Sequence, residues 1–184
     1  TNWCPGCGIG LILNTIAASL VDQGLDQRNT VAVSGIGCSG RIAGYLNLDS
    51  VHTPHGRALP LAEAIKMVNP KLNVIVASGD GDLLSIGGNH LIHTARRNPD
   101  LTVFCVNNEV YGLTAGQASP TTPRGVPTIT SPSGVAYNPI SIQKMITANA
   151  AYFFARTTVY HLDHMQMCAV EALRWRGFSF VEIV

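Results

Sequence analysis

Short, continuous hydrophobic runs alternate along the chain with segments that have the periodicity of an amphipathic helix. The hydrophobic runs, typical of strands that are buried on both faces, are 31–33, 73–78, 101–106, 151–158 and 178–184. The helical segments are 9–23, 61–68, 85–97, 137–151 and a last one that begins at His161. This alternation predicts an α/β fold, with a mainly parallel sheet covered by helices on both faces.

Two polar clusters follow two of these strands at the point where each strand ends. Strand 73–78 runs into the tetrapeptide Gly-Asp-Gly-Asp at 79–82, and strand 101–106 ends at the Asn-Asn pair 107–108. Together with helix 85–97 these strands form one βαβ unit, so both clusters lie at the carboxyl ends of neighbouring parallel strands. Open α/β sheets bind their ligands at that edge.

The residue types in these clusters suit a diphosphate group and a divalent cation. Gly79 and Gly81 let the backbone approach a phosphate closely, and the helix N-terminus that follows favours negative charge. Asp80 and Asn108 supply the hard oxygen ligands that Mg²⁺ or Ca²⁺ requires. The tetrapeptide alone leaves an alternative open, because Gly- and Asp-rich turns also occur in plain β–α loops.

Composition and charge limit the class of protein. We expect one domain over residues 1–184, cut at both ends, since the chain starts without Met and stops within a strand-like run. Only 12% of the residues are charged, which is low for an isolated domain and indicates a surface covered by partner subunits. The net charge of +1 predicts no nucleic-acid or membrane-surface partner. No secretory signal or membrane-length hydrophobic run is present, and we expect a cytoplasmic protein.

A Cys-x-x-Cys pair, Cys4 and Cys7, opens the chain, and Cys38 lies in the glycine-rich loop 35–40. Such a pair can be half of a zinc site, a redox dithiol or part of an iron–sulfur site. A thioredoxin-like dithiol requires a strand before its first cysteine, and no strand precedes Cys4. No second cysteine pair stands at the spacing that zinc ligands usually have. Packed, unreactive cysteines remain an alternative for all three positions.

His55 and Arg57 flank Gly56 in a strand-to-helix loop. A histidine and an arginine there suit an anionic ligand, and we take them as candidate catalytic residues. Purely structural roles for both side chains are equally compatible with this stretch. His161 and His164, three residues apart, could form a metal pair, but a solvated first helical turn is the preferred interpretation.

Twenty-five residues separate Gly81 from Asn107. The two motifs with this spacing resemble the GDG…NN signature of thiamin diphosphate-dependent enzymes. By that resemblance Mg²⁺ is bound by the side chains of Asp80 and Asn108 and by the main-chain carbonyl of Val110. The resemblance also assigns a set of residues to the diphosphate, namely Gly79, Asp80, Gly81, Asp82, Asn108, Val110, Tyr111, Gly112 and Leu113.

Five motifs in order, CPGCG, SGIGCSGR, HTPHGRA, GDGD and NNEVYGLTAGQASPTTP, resemble the β subunit of 2-oxoacid:ferredoxin oxidoreductases, most closely the 2-oxoglutarate type. The resemblance implies a [4Fe–4S] cluster close to the thiamin ring, with Cys4, Cys7 and Cys38 as three of its four ligands. The fourth ligand follows a strand like 178–184, where this chain ends. Cys105 and Cys168 do not match ligand positions and are expected in the core.

The implied reaction is the coenzyme A-dependent oxidative decarboxylation of a 2-oxoacid, expected to be 2-oxoglutarate, with electrons passed through the cluster to ferredoxin. An α subunit is expected to supply the carboxylate that activates the thiamin, because no glutamate of this chain lies in a matching motif. Ala115 stands where many relatives carry Lys. The proline-punctuated loop 119–127 could cover the active site or contact a partner.

Two other functions remain open at this stage. A non-redox thiamin diphosphate-dependent decarboxylase or synthase would need no cysteine triad. An electron-transfer subunit would use the cluster alone. A dinucleotide-binding domain is disfavoured, because the chain lacks a G-x-G-x-x-G turn that opens a helix.

Overall fold

The computed structural model describes residues 2–149 and 152–184, and its centre is a six-stranded parallel sheet with the order β2-β1-β3-β4-β8-β7. A separate antiparallel hairpin joins β5 and β6. The strands are β1 (Thr30–Ser34), β2 (Asp49–His52), β3 (Asn73–Gly79), β4 (Leu101–Val106), β5 (Val110–Tyr111), β6 (Gln117–Ala118), β7 (Phe153–Thr157) and β8 (Phe178–Ile183). The predicted parallel α/β sheet is confirmed.

Helices cover both faces of this sheet, as the hydrophobic pattern predicted. They are α1 (Ile9–Asp22), α2 (Ile42–Tyr45), α3 (Ala58–Val68), α4 (Gly88–Arg97), α5 (Ile142–Thr147) and α6 (Leu162–Arg174). One core cluster joins α1, α2 and α6 to the sheet, and a second core cluster joins α3, α4 and α5 to the opposite face. No helix in the described part of the chain is long and apolar enough to cross a membrane.

The central strands β4 and β8 are buried at every position, which explains why their sequences are continuous hydrophobic runs. Phe104 packs towards α1 and α6, whereas the next residue, Cys105, packs into the opposite cluster. Alternate residues of a strand point to opposite faces, so each strand contributes to both cores. Cys105 and Cys168 are both buried, which confirms their predicted place in the core.

Two predicted helices differ from the observed ones. Segment 85–97 begins earlier than expected, as a π-helical turn at Gly81–Ile86 that α4 follows from Gly88. In the predicted helix 137–151, only the six residues of α5 are helical. The Ser141 side chain caps this helix by accepting a hydrogen bond from Lys144 N. Pro139 lies in the irregular stretch before α5, and a proline disfavours the helical conformation at the residue that precedes it. Residues 150 and 151, at the predicted helix end, lie outside the described residues.

The strand order creates a crevice between β1 and β3. The chain leaves β1 for β2 on one side, and β3 then pairs with β1 on the other side. The helices that follow these two strands, α2 and α4, pack on opposite faces of the sheet. Their connecting loops therefore diverge at the carboxyl ends, which is where open α/β sheets bind ligands.

Candidate functional site

A cavity of about 280 Å³ lies at this crevice, over the carboxyl ends of β1, β3 and β4. The predicted site residues that line it are Cys38, His55, Gly79, Asp80, Gly81, Asp82, Asn108, Val110, Tyr111, Gly112 and Leu113. Sequence reasoning missed six further lining residues, namely Ile9, Ile36, Gly37, Ser39, Val106 and Thr114. Arg57 is exposed and does not line the cavity; its guanidinium donates to the neighbouring Gly56 carbonyl.

Three oxygens converge at one end of the cavity. The side-chain oxygen of Asn108 faces the carbonyl oxygen of Val110 at 2.9 Å and Oδ1 of Asp80 at 3.1 Å. Acceptors at these distances repel each other unless the amide turns over or a cation lies between them. Adjacent oxygens around an octahedral Mg²⁺ are about 3.0 Å apart, because Mg–O distances are about 2.1 Å. The two distances suit a Mg²⁺ between these groups, and without a cation they suit an Asn108 amide turned over so that its nitrogen donates to Val110 O and Asp80 Oδ1.

The backbone between two of these oxygens is held in an uncommon conformation. Glu109 has a φ of 59°, in the left-handed region that few residues other than glycine adopt. Its carbonyl accepts a hydrogen bond of 2.6 Å from the Thr122 hydroxyl. This contact helps to hold the turn that brings Asn108 and Val110 to the same point.

Asp80 is a buried carboxylate that hydroxyl groups and backbone N–H groups support. The Thr121 hydroxyl lies 2.5 Å from Asp80 Oδ2 and 2.9 Å from the side-chain oxygen of Asn107. Burial raises the pKa of Asp80, and hydrogen bonds from Ser119 and Thr121 act against that rise. Among residues 2–149 and 152–184, no Lys, Arg or His forms an ion pair with it. A divalent cation would supply the missing positive charge.

Gly81 is packed too tightly to carry a side chain. A Cβ at this position would lie 2.2 Å from Cε1 of Tyr111, and the Tyr111 hydroxyl donates to the Gly81 carbonyl at 3.3 Å. The ring of Tyr111 thus packs directly on the backbone that follows Asp80. The absence of a side chain at Gly81 lets this aromatic wall of the cavity pack against the loop 79–82.

The carboxylate of Asp82 is occupied by protein donors. Oδ1 accepts from Ile36 N at 3.0 Å and from Gly56 N at 2.8 Å, and Oδ2 accepts from the Ser78 hydroxyl at 2.8 Å. Oδ1 also lies 2.6 Å from Nδ1 of His55. Asp82 therefore connects the loops after β1 and β2 to the end of β3, a role that its place in the tetrapeptide did not reveal.

The contact with Asp82 indicates which ring nitrogen of His55 carries a proton. An ionised carboxylate can only accept hydrogen bonds, so Nδ1 of His55 carries a proton. Nε2 is then the ring nitrogen that remains available to a ligand. The ring also meets Tyr111 edge-on, with centroids 6.0 Å apart, so both rings form one side of the cavity.

The cysteine motifs come together beside the same cavity. The Trp3 indole nitrogen donates to the Cys38 carbonyl at 2.8 Å, and Cys7 N donates to the Cys4 carbonyl at 3.2 Å. Burial raises the pKa of Cys38, and the negative charge of the Cys4 and Cys7 thiolates raises it further. Cys38 Sγ lies within 4 Å of the point where a Cβ on Gly112 would sit, so this sulfur reaches the cavity wall.

The three thiols fit an iron–sulfur cluster in chemistry but are not arranged around a common point. All three are free, Cys4 and Cys7 are exposed, and Cys38 is half-buried. Within the described residues no group of three or more His, Cys, Asp or Glu side chains is placed to hold a metal ion. Cys105 and Cys168 cannot complete a set, because both are buried in the core.

Comparison with known proteins identifies the class. Residues 27–183 match the family described as thiamine pyrophosphate enzyme, C-terminal TPP binding domain. The chain thus contains the domain that binds thiamin diphosphate in this class of enzymes, in agreement with its parallel sheet and its cavity.

Relatives narrow the class further. The chain is 49% identical over 184 residues to 2-oxoglutarate synthase subunit KorB of Archaeoglobus fulgidus, covering all of this chain and 68% of the relative. It is 43% identical to the β subunit of 2-oxoacid:ferredoxin oxidoreductase 2 of Aeropyrum pernix, covering 99% of this chain and 59% of the relative. The chain belongs to the family of 2-oxoacid:ferredoxin oxidoreductase β subunits.

A solved structure shows the same fold. The 2-oxoglutarate:ferredoxin oxidoreductase from Magnetococcus marinus, with 2-oxoglutarate, coenzyme A and succinyl-CoA bound, superposes with a TM-score of 0.95 at 38% identity. The match covers all of this chain and 63% of the other. The present chain therefore spans about two thirds of the length of such relatives.

Proposed function

We propose that the cavity binds thiamin diphosphate with Mg²⁺, and that residues 1–184 form one domain of a 2-oxoacid:ferredoxin oxidoreductase. The enzyme would convert a 2-oxoacid, coenzyme A and two oxidised ferredoxins, each taking one electron, to acyl-CoA, CO₂, a proton and two reduced ferredoxins. The observation that carries this proposal is the meeting of the Asp80 carboxylate, the Val110 carbonyl and the Asn108 amide at one end of the cavity, with contacts of 2.9 and 3.1 Å at the end of that amide. The neighbouring cysteine motifs favour the redox reaction over a simple decarboxylation.

Six residues of the cavity have a defined task in this proposal. Asp80, Asn108 and Val110 would hold Mg²⁺, and Gly79 and Gly81 would leave room for the diphosphate beside it. Thiamin diphosphate supplies the electron sink for decarboxylation when it is bound. His55 would present Nε2 to the ligand, with its other ring nitrogen held by Asp82.

The cysteines would hold the cluster that takes up the electrons. Cys4, Cys7 and Cys38 would bind a [4Fe–4S] cluster together with one ligand from outside these residues. The exposure of Cys4 and Cys7 favours electron transfer to ferredoxin at this surface. Free thiols persist in reducing compartments, which supports a cytoplasmic location.

The remaining components come from outside the chain. No glutamate lines the cavity among the described residues, so we assign the carboxylate that activates thiamin to an α subunit. The names of the relatives and the ligands of the Magnetococcus structure favour 2-oxoglutarate as the 2-oxoacid.

Anaerobic analysis of the full-length protein with its partner subunit tests the proposal. Iron, acid-labile sulfide and thiamin diphosphate are measured per αβ unit, and 2-oxoglutarate is compared with pyruvate in coenzyme A-dependent reduction of a viologen dye. We expect iron and thiamin together, with 2-oxoglutarate preferred. Thiamin without iron would instead indicate a non-redox decarboxylase, and iron without thiamin an electron-transfer subunit.

A further inference from the structure

The turn 119–122 begins the proline-punctuated loop, whose role the sequence left open. Two threonines of this turn, Thr121 and Thr122, are only 5% and 3% exposed. The Thr121 hydroxyl contacts the carboxylate of Asp80, whereas the Thr122 hydroxyl contacts the backbone of Glu109. Neighbouring side chains of one turn thus reach both loops that contribute ligands to the proposed Mg²⁺ site.

The hydrogen bonds of the Thr122 hydroxyl have fixed directions. Its oxygen accepts from Ser119 N at 2.8 Å, and its proton points to the Glu109 carbonyl oxygen, 2.6 Å away. A backbone N–H can only donate and a carbonyl can only accept, so Thr122 is the donor to Glu109. Thr122 N also donates to the Ser119 carbonyl at 3.2 Å, which closes the turn that carries this donor.

The acceptor of this hydrogen bond lies in the middle of the turn 108–110. Both ends of the turn are anchored, by a backbone hydrogen bond from Asn107 to β8 and by the pairing of Val110 in the hairpin of β5 and β6. Between them Glu109 has its φ of 59°, a conformation that costs free energy for a residue other than glycine. The hydrogen bond from Thr122 offsets this cost and, because a peptide unit is planar, fixes the orientation of the peptide that leads into Val110.

Mg²⁺ and Ca²⁺ differ in how strictly they need such a turn. Mg²⁺ requires near-octahedral oxygens at about 2.0–2.1 Å, whereas Ca²⁺ accepts oxygens at about 2.3–2.6 Å in a flexible geometry. The end of the Asn108 amide lies 2.9 Å from the Val110 carbonyl oxygen and 3.1 Å from Oδ1 of Asp80. A turn held at this spacing suits the smaller ion, and loosening it would cost Mg²⁺ more affinity than Ca²⁺.

We propose that Thr122 is a positioning residue that makes the metal site selective for Mg²⁺ over the larger Ca²⁺, because it holds the turn 108–110. This proposal rests on the proposed function and adds a determinant of metal choice to it. Thr122 acts through Glu109 on the two ligands that flank that residue. Its neighbour Thr121 supports the third ligand, so the start of the proline-punctuated loop supports the whole ligand set.

The test measures the affinities of the two ions separately. Mg²⁺ and Ca²⁺ are each titrated by calorimetry into the metal-free, full-length protein with its partner subunit and thiamin diphosphate, for the wild type and Thr122→Val. We expect Thr122→Val to weaken Mg²⁺ binding by about 10-fold, as for other groups that orient metal ligands, and Ca²⁺ binding by less than about threefold. The ratio of Mg²⁺ affinity to Ca²⁺ affinity should therefore fall.

Further variants separate this effect from general damage. Thr122→Ser keeps the hydroxyl and should show the wild-type ratio. Thr94→Val removes another buried hydroxyl, which contacts Glu63 between α3 and α4, and should leave the ratio unchanged. Thr122→Cys has a weaker donor; it should lower the ratio by a smaller factor than Thr122→Val, and it decides the test if that variant does not fold.

A double-mutant cycle tests whether Thr122 acts through the turn. Glycine adopts a positive φ without strain, so Glu109→Gly makes the turn less dependent on its hydrogen bond. The effect of Thr122→Val on the ratio should therefore be smaller in the Glu109→Gly background than in the wild type. Glu109→Gln removes only the charge of the side chain and should leave that effect at its full size.

The outcomes distinguish this proposal from the proposed function. If the wild type binds Mg²⁺ and thiamin diphosphate together, and Thr122→Val weakens both ions by the same factor or neither of them, the role of Thr122 in metal choice is overturned and the proposed function stands. A wild type that binds Ca²⁺ more tightly than Mg²⁺ would likewise overturn the selectivity alone. A wild type without metal-dependent binding of thiamin diphosphate would overturn both proposals.

Discussion

Replacement of Thr121 by valine removes one hydroxyl beneath the proposed Mg²⁺ site and keeps the shape of the side chain. The hydroxyl has a single proton and lies near three oxygens, Asp80 Oδ2 at 2.5 Å, the side-chain oxygen of Asn107 at 2.9 Å and Ser119 Oγ at 3.1 Å. We assign the proton to Asp80, the nearer acceptor and the one that carries charge. Thr121 is 5% exposed, so water cannot readily take its place.

The expected loss of Mg²⁺ affinity follows from the type of hydrogen bond that is lost. A bond to a charged group contributes about 1.5–3 kcal/mol, and each 1.4 kcal/mol changes affinity about tenfold. Groups that orient metal ligands typically change metal affinity by about 10- to 100-fold. We therefore expect Thr121→Val to weaken Mg²⁺ binding by about 10- to 100-fold.

The assay is a Mg²⁺ titration of the metal-free, full-length enzyme with its partner, at saturating thiamin diphosphate, followed by calorimetry and recovery of activity. Thr121→Ser keeps the hydroxyl and should stay close to the wild type. A half-saturating Mg²⁺ concentration for Thr121→Val within about twofold of the wild type would refute the assignment of Thr121 to the metal site.

Three further variants test other parts of the molecule. Cys38→Ser should lose the visible absorbance of the cluster and the reduction of ferredoxin while far-ultraviolet circular dichroism is unchanged; an unchanged iron content would show that Cys38 is not a ligand. Gly81→Ala places a Cβ 2.2 Å from the Tyr111 ring, so thiamin diphosphate affinity should fall and should partly recover when Tyr111→Ala is added; no recovery would show that the ring is not the obstacle. Phe104→Ala empties a fully buried position and should lower the free energy of unfolding in urea by about 3–5 kcal/mol; a loss below about 1 kcal/mol would contradict its central place in the core.

The sequence predicted the buried strands well, because strands buried on both faces leave an unbroken hydrophobic run. It missed β2, which is exposed at every position, and the short hairpin of β5 and β6. β4 and β8 are buried along their whole length, and both were predicted nearly to the residue. The π-helical turn Gly81–Ile86 was missed, since its wide turn depends on contacts across the fold. Asp82, inside that turn, is held by backbone donors from two other loops.

The candidate site was predictable only where residues cluster in the sequence. Asp80 and Asn108 each stand in a compact polar motif at a strand end, and their side chains do converge with the Val110 carbonyl. Thr121 and Ser39 carry no such signal, because a single hydroxyl in a loop shows neither periodicity nor spacing. Arg57 lies two residues from His55 in the sequence, but of the two only His55 lines the cavity.

Binding of thiamin diphosphate to wild type and Asp80→Ala, with and without Mg²⁺, tests the central claim most directly. It is measured by calorimetry on the full-length protein with its partner, and Asp163→Ala, which removes an exposed carboxylate on α6, serves as the control. We expect Mg²⁺-dependent binding in the wild type and the control, and its loss in Asp80→Ala. Mg²⁺-dependent binding of undiminished affinity in Asp80→Ala would contradict the metal site on which this account rests.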